Sequence, residues 1–189
     1  MHIVKSNNGH KHVESPQRKR WAAIGATCRE MLDAVPAAAY ICEGSGQITY
    51  FNPIAEAVWG RTPRLRDGGE LYCGSHRLYS VDGVQIRHEE CWMALALRRG
   101  MAYHGHAIVI ERQDGTRTVG KAHAHPLLDN KGRIVGALNL VADITRLSGT
   151  DPGHSKPYHS SRACVVTMAI IDITVSVLTA MRWENSTFD

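Results

Sequence analysis

Aromatic residues are scarce in this chain of 189, at 6%, and only two of them are Phe. No two cysteines stand in a Cys-x-x-Cys pair, so a zinc ribbon is not indicated. The five present (Cys28, Cys42, Cys73, Cys91 and Cys164) lack the density of a disulfide scaffold and read as reduced thiols of a cytoplasmic protein. No apolar run of signal-peptide kind follows the first Met. There is no Gly-x-Ser-x-Gly, no phosphate-binding loop and no dinucleotide fingerprint, so no enzyme is expected. Charge of one sign is also lacking. The net charge is +4, and with 43% hydrophobic residues the chain is not of disordered composition. Lys5, Lys11, Arg18, Lys19 and Arg20 oppose only Glu14 in the first 20 residues, which accounts for that excess. A basic tip on a neutral body has no continuous positive face, and direct nucleic-acid binding is not expected.

What is abundant is histidine, 11 residues, and glycine, 17. After a polar tail (1–20), Ser15-Pro16 reads as a helix start. Trp21, Ile24, Cys28, Met31 and Val35 then recur at spacings of 3, 4, 3 and 4, a seam suited either to pairing with a second copy or to packing on its own domain. Pro36 ends that helix (21–35). Ala38–Glu43 and Gln47–Phe51 form a predicted hairpin around Gly44-Ser45-Gly46. Asn52-Pro53 looks like a cap and first turn of a short helix that Gly60 stops near Trp59. Residues 61–75 read as loop, and Asp82-Gly83 as a turn. A helix over Glu90–Arg99 carries acidic residues at its start and arginines at its end. Three strands follow, Ala102–Arg112, Thr116–His125 and Arg133–Asp143, joined by turns at Asp114-Gly115 and Asp129–Gly132. The order predicts an α+β domain with a five-stranded antiparallel sheet whose helices fall in the middle of the chain, plus an added N-terminal helix.

Several passages, taken in order, resemble the PAS sensor family. Tyr50-Phe51-Asn52-Pro53-Ile54-Ala55, closing at Trp59-Gly60, is similar to the family's strand running into its first short helix. Arg112-Gln113-Asp114-Gly115-Thr116 is similar to its charged hairpin, and Pro126–Gly136 (PLLDNKGRIVG) to its next turn. Asp143-Ile144-Thr145 matches the end of its last strand. His88–Leu97 further resembles modules that precede bacterial histidine kinases. The resemblance covers about residues 29–146 and implies a sheet cupping a small-molecule cavity beneath the helices. It implies sensing and signal transduction by ligand binding or partner contact rather than catalysis. A cavity in such a module would draw on Tyr40, Asn52, Trp59, Cys91, Met93, Val109 and Ala122. Signal transmission would run through Asp143, Ile144 and Thr145 and a homodimer formed by the helix of Trp21. Expected partners are a second copy and a histidine kinase or other signalling protein, in a two-component system or in regulation of transcription. With the sensor domain at 36–146, a linker follows at 147–162, where Gly149 and Pro152 break any helix. No output pattern follows, so the chain is expected to be a stand-alone sensor or the front of something longer.

The histidines suggest an alternative from another class, a metal- or haem-binding redox or gas sensor. If Asp114-Gly115 is a two-residue turn, His104 falls opposite His125 and His106 opposite His123, all four on one face. Four imidazoles there would suit zinc, nickel or copper, or form a structural or pH-responsive cluster. A turn one residue longer would scatter them. The opposite face, with Gly105, Ala107, Val109, Gly120, Ala122 and Ala124, is made of small residues that leave room for a ligand or for a closely packed helix. His88 and Cys91 lie where haem-binding relatives offer an axial ligand. Cys73 does not match the reactive-cysteine motif of photosensory flavin modules, and flavin is not expected. Finally, 163–181 (within 163–189) is apolar apart from Asp172, long enough for a membrane span. The buried charge would cost roughly 2.5–3.5 kcal/mol. That segment is either a membrane anchor, an added packed segment or a tail without structure.

Overall fold

The structure, a computed structural model, describes residues 27–144. Residues 27–34 are helical (α1). The order then runs β1 (Ala38–Glu43), β2 (Ile48–Phe51), α2 (Pro53–Trp59), β3 (Arg77–Tyr79), β4 (Gln85–Ile86), a 3-10 turn at His88–Glu90, α3 (Trp92–Arg99), β5 (Tyr103–Glu111), β6 (Arg117–Leu128) and β7 (Ile134–Asp143). All pairings are antiparallel, in one sheet ordered β2-β1-β7-β6-β5-β3-β4.

The expected α+β class holds, with two strands more than expected. β3 and β4 add themselves to the β5 edge from either side of the Asp82-Gly83 turn, where the sequence predicts no strand. Their three and two residues are too short to show an alternating pattern. The turn between them is closed by Ser80 and Val84 around Gly83, at φ +83°. The helix expected at 90–99 begins later. Cys91 is extended, with ψ at 165°, and separates the 3-10 turn from α3. β6 runs on to Leu128, with Pro126 still opposite Ala137.

Alternation splits the sheet into two faces with separate cores. On the inner face Tyr40, Ile108, Ile110, Ala122, Ala124 and Val141 meet Trp59 of α2 and Met93, Ala94, Ala96 and Leu97 of α3. On the outer face Leu32 and Val35 pack on Ala37, Ala39, Leu138, Leu140 and Ala142. In the expected dimer seam, Val35 is thus buried in its own domain, Cys28 is half-buried and Met31 is 45% exposed. Trp21 and Ile24 lie outside the described residues, as do Thr145, the linker and the apolar segment 163–181. Among the described residues no helix is long and apolar enough to cross a membrane.

Asn52 ties these layers together. It caps α2 as expected: its Oδ1 accepts from Ala55 N at 2.9 Å, and Gly60 ends the helix in the left-handed region. The same oxygen accepts from Ala39 N at 3.0 Å. Nδ2 donates to the carbonyls of Leu32 (3.0 Å) and Ala37 (2.9 Å). One fully buried amide therefore joins α1, β1 and α2. Arg112 closes the other end of α2, donating to the carbonyls of Val58 and Ala57.

Candidate functional site

The inner core is not completely filled. Tyr40, Trp59, Cys73, Leu78, Cys91, Trp92, Ile108, Ile110, Ala122, Asn139 and Val141 surround a cavity of about 10 Å3, room for about one water molecule. Five strands and both inner helices contribute. Trp59 stands edge-on to Tyr40 with centroids 5.1 Å apart. The backbone at Gly74 lies directly against the Trp59 indole: a Cβ there would come within 2.5 Å of the ring. Arg61 holds that loop by donating to the Gly74 carbonyl at 2.6 Å.

Polar groups in this wall are few and specific. Asn139 sits opposite Tyr40 across β7 and β1, and its Nδ2 donates to the Tyr40 hydroxyl at 2.9 Å. Its Oδ1, in a residue 4% exposed, has no partner; nor does the buried Nε1 of Trp92. A buried polar atom left unpaired costs about 1–3 kcal/mol, so such atoms are rare without a reason. Here one acceptor and one donor belong to residues of the same cavity. Burial pushes the Tyr40 hydroxyl well above its ordinary pKa, pushes Cys42 and Cys73 up, and pushes Cys91 up to about 12. The walls are therefore uncharged at neutral pH.

Of the expected cavity residues, Tyr40, Trp59, Cys91 and Ala122 line it. Asn52 does not; its amide is used up in the junction of α1, β1 and α2. Met93 is buried among core residues of α3, and Val109 alternates with Ile108 and Ile110 and lies half-buried on the other face. Asn139 and Trp92 were missed. Asn139 is the one polar residue inside Ile134–Ala142, a visible interruption of an apolar strand. At the strand end, Asp143 closes β7, and Ile144 N donates to Val119 O at 2.8 Å.

The histidine face is arranged otherwise than the two-residue turn required. Arg112 N bonds Thr116 O, so Gln113-Asp114-Gly115 makes a three-residue loop, with Gly115 at φ +83°. His106 consequently stands opposite Ala122, not His123. It points to the inner face and stacks on Trp92 at 3.9 Å. A bulge at Gly105, φ +68°, then slips the register again, so that Tyr103 faces Ala124. This returns His104 to the outer face, where its Nδ1 lies 3.3 Å from Nε2 of His125 and its ring 6.1 Å from that of His123. Burial and the neighbouring imidazole of His104 lower His125 to about 4, and burial lowers His123. Among the described residues no group of three or more His, Cys, Asp or Glu is placed to hold a metal ion. Of the two expected axial ligands, Cys91 lines the cavity and His88 Nε2 lies 3.2 Å from Ser75 Oγ.

A sheet of this order under two short helices, with a cavity between, can be compared with known proteins. The family model described as PAS fold matches residues 32–149, more than half of the chain. The chain belongs to the PAS family. Among solved structures, this PAS protein is similar to a LOV protein of Rhodobacter sphaeroides, at 13% identity and TM-score 0.51 over 85% of this chain and 82% of that one. It is equally similar to the RsLOV d2 variant, at 13% identity and TM-score 0.51, covering 84% and 81%. At such identity the likeness is one of fold. No curated protein matches the sequence. PAS membership makes the chain a sensor module, a family generally sensory rather than catalytic.

Proposed function

We propose that this PAS module senses a small uncharged molecule bound between α3 and the inner sheet face, and passes the change to a signalling partner. The observation that carries the reading is the pair of unpartnered buried groups, Asn139 Oδ1 and Trp92 Nε1–H, in residues that line one neutral cavity. A guest that both donates and accepts hydrogen bonds, such as an amide, has the chemistry to pair with either group. The present volume admits about a water, so a larger guest must displace Trp92, which is only partly buried. That displacement is the signal. Trp92 stacks on His106 and lies tilted against Tyr103, at the start of β5, and Asn139 lies four residues before the end of β7. Transmission then proceeds through Asp143, Ile144 and Thr145, with a second copy paired through the helix of Trp21 and Ile24. The receiving partner is a histidine kinase or another signalling protein, acting in two-component signalling or transcriptional control in the cytoplasm.

The test is titration of the full chain with acetamide and nicotinamide while the Trp92 indole N–H resonance is followed by NMR. A saturable shift in wild type that is lost in Asn139→Leu is expected. An indole signal unmoved by either compound, or moved equally in Asn139→Leu, overturns the reading.

A further inference from the structure

A second chemical arrangement opens onto the same cavity. Cys73 and Cys91 both line it, and both are buried, 5% and 3% exposed. Cys73 Sγ lies 3.2 Å from Ser75 Oγ, itself 2% exposed, and that hydroxyl lies 3.2 Å from His88 Nε2. The ring of His88 is half-buried, so the chain leads from the cavity wall to the edge of solvent. Burial lowers the His88 pKa, leaving a neutral imidazole able to accept a proton at pH 7. The groups acting on that ring are Glu89, Arg61 and His76. Asn139 Oδ1, unpartnered and in the wall of the cavity, marks the space as one that accepts a polar guest.

We propose that Cys73 is a peroxide-reactive thiol, deprotonated through Ser75 by His88, and that Cys91 resolves its oxidised form to a disulfide. Hydrogen peroxide is little larger than the water the cavity admits. Burial holds the Cys73 thiol protonated, so the proton must leave as sulfur attacks. The Ser75 hydroxyl takes it while passing its own proton to His88. Sulfur donates its electron pair to one peroxide oxygen, the O–O bond breaks, and the leaving hydroxide takes the proton back from the imidazolium as water. Thiol and peroxide thus give sulfenic acid and water. The Cys91 sulfur then attacks the sulfenic sulfur, the S–O bond breaks, and the departing hydroxide takes the Cys91 thiol proton to leave as a second water. In sum, two thiols and one peroxide give one disulfide and two waters. The bond would replace two thiols of the cavity wall with one covalent link across it, so the oxidised module presents a different cavity lining from the reduced one. This proposal stands apart from the amide reading: either can hold where the other fails.

The experiment treats the purified full chain with graded hydrogen peroxide, blocks remaining thiols and maps peptides by mass spectrometry. A Cys73–Cys91 disulfide that dithiothreitol reverses is expected, and in Cys91→Ser a dimedone-trapped sulfenic acid at Cys73. Ser75→Ala and His88→Gln should each slow Cys73 oxidation at pH 7 by at least about tenfold. Their rates should climb with pH as free thiolate forms, while the wild-type rate stays flatter, a difference that simple loosening of the loop would not produce. Oxidation confined to Cys28 or Cys164, a Cys73–Cys42 bond, or wild-type rate and pH profile in His88→Gln would overturn the proposal.

Discussion

Replacing Asn52 with Ala removes four hydrogen bonds of 2.9–3.0 Å from a side chain with no exposure at all. Two backbone N–H groups (Ala39 and Ala55) and two carbonyls (Leu32 and Ala37) lose their partner together. An abandoned buried group costs about 1–3 kcal/mol, and loss of a helix N-cap alone costs about 1. The vacated volume is enough for a water to restore one or two of the four bonds. The net loss is then about 3–5 kcal/mol, a large part of the 5–15 kcal/mol typical of a domain. Urea unfolding followed by tryptophan fluorescence, to which the core residue Trp59 contributes, measures it, and the melting temperature should fall by roughly 10–20 °C. Hydrogen exchange should show where it acts. The amides of residues 27–34 and the first turn of α2 lose protection before the β5–β6 pair does. Asn52→Asp retains the acceptor for Ala39 and Ala55 but sets a buried carboxylate against two carbonyls, so at neutral pH it should destabilise at least as much as Ala and recover in acid, where the protonated carboxyl can donate to one of them. A cost below about 1 kcal/mol for Asn52→Ala, with an unchanged urea slope, would refute the idea that one amide holds α1, β1 and α2 together.

Two other expectations come from packing and titration. Gly74→Ala should cost about 1–3 kcal/mol, because its Cβ meets the Trp59 indole at 2.5 Å and that ring is fixed in the core; a neutral effect on the urea midpoint would contradict the described contact. Stability should fall with acid between about pH 6.5 and 4. The unfolded chain binds protons at His125 near 6.5, whereas the folded one resists until about 4, so the contribution is complete above 6.5 and lost as pH drops towards 4. For a partly exposed ring this amounts to about 1–2 kcal/mol after screening. Urea midpoints across that range should flatten in His125→Gln, and an equally steep decline there would count against the assignment.

What the sequence disclosed and what it hid follow a physical division. The cap at Asn52, the stop at Gly60 and the strands β5, β6 and β7 are legible because capping and alternation are local. The histidine register was not. It turned on whether two or three residues close the loop after Arg112 and on a bulge at Gly105, and each slip of one residue exchanges the faces of a strand. His106 therefore reached Trp92 while His104 stayed beside His125. The cavity was half legible: Tyr40 and Trp59 follow from strand and helix phase. Cys73 comes from a segment without a period, and Asn139 acquires its role only through a partner 99 positions away.

The placement of β1 beside β7 has a consequence for how such a module is used. Ala38 lies opposite Val141, so the chain enters the sheet next to the point where it leaves. Neighbouring strands are about 5 Å apart, so the whole domain between those points occupies a step of one strand width along its parent chain. A longer protein can carry it as a side loop without lengthening the path between what lies before and after. A twist of β7 relative to β1 then turns those two flanking segments against each other with almost no lever arm lost.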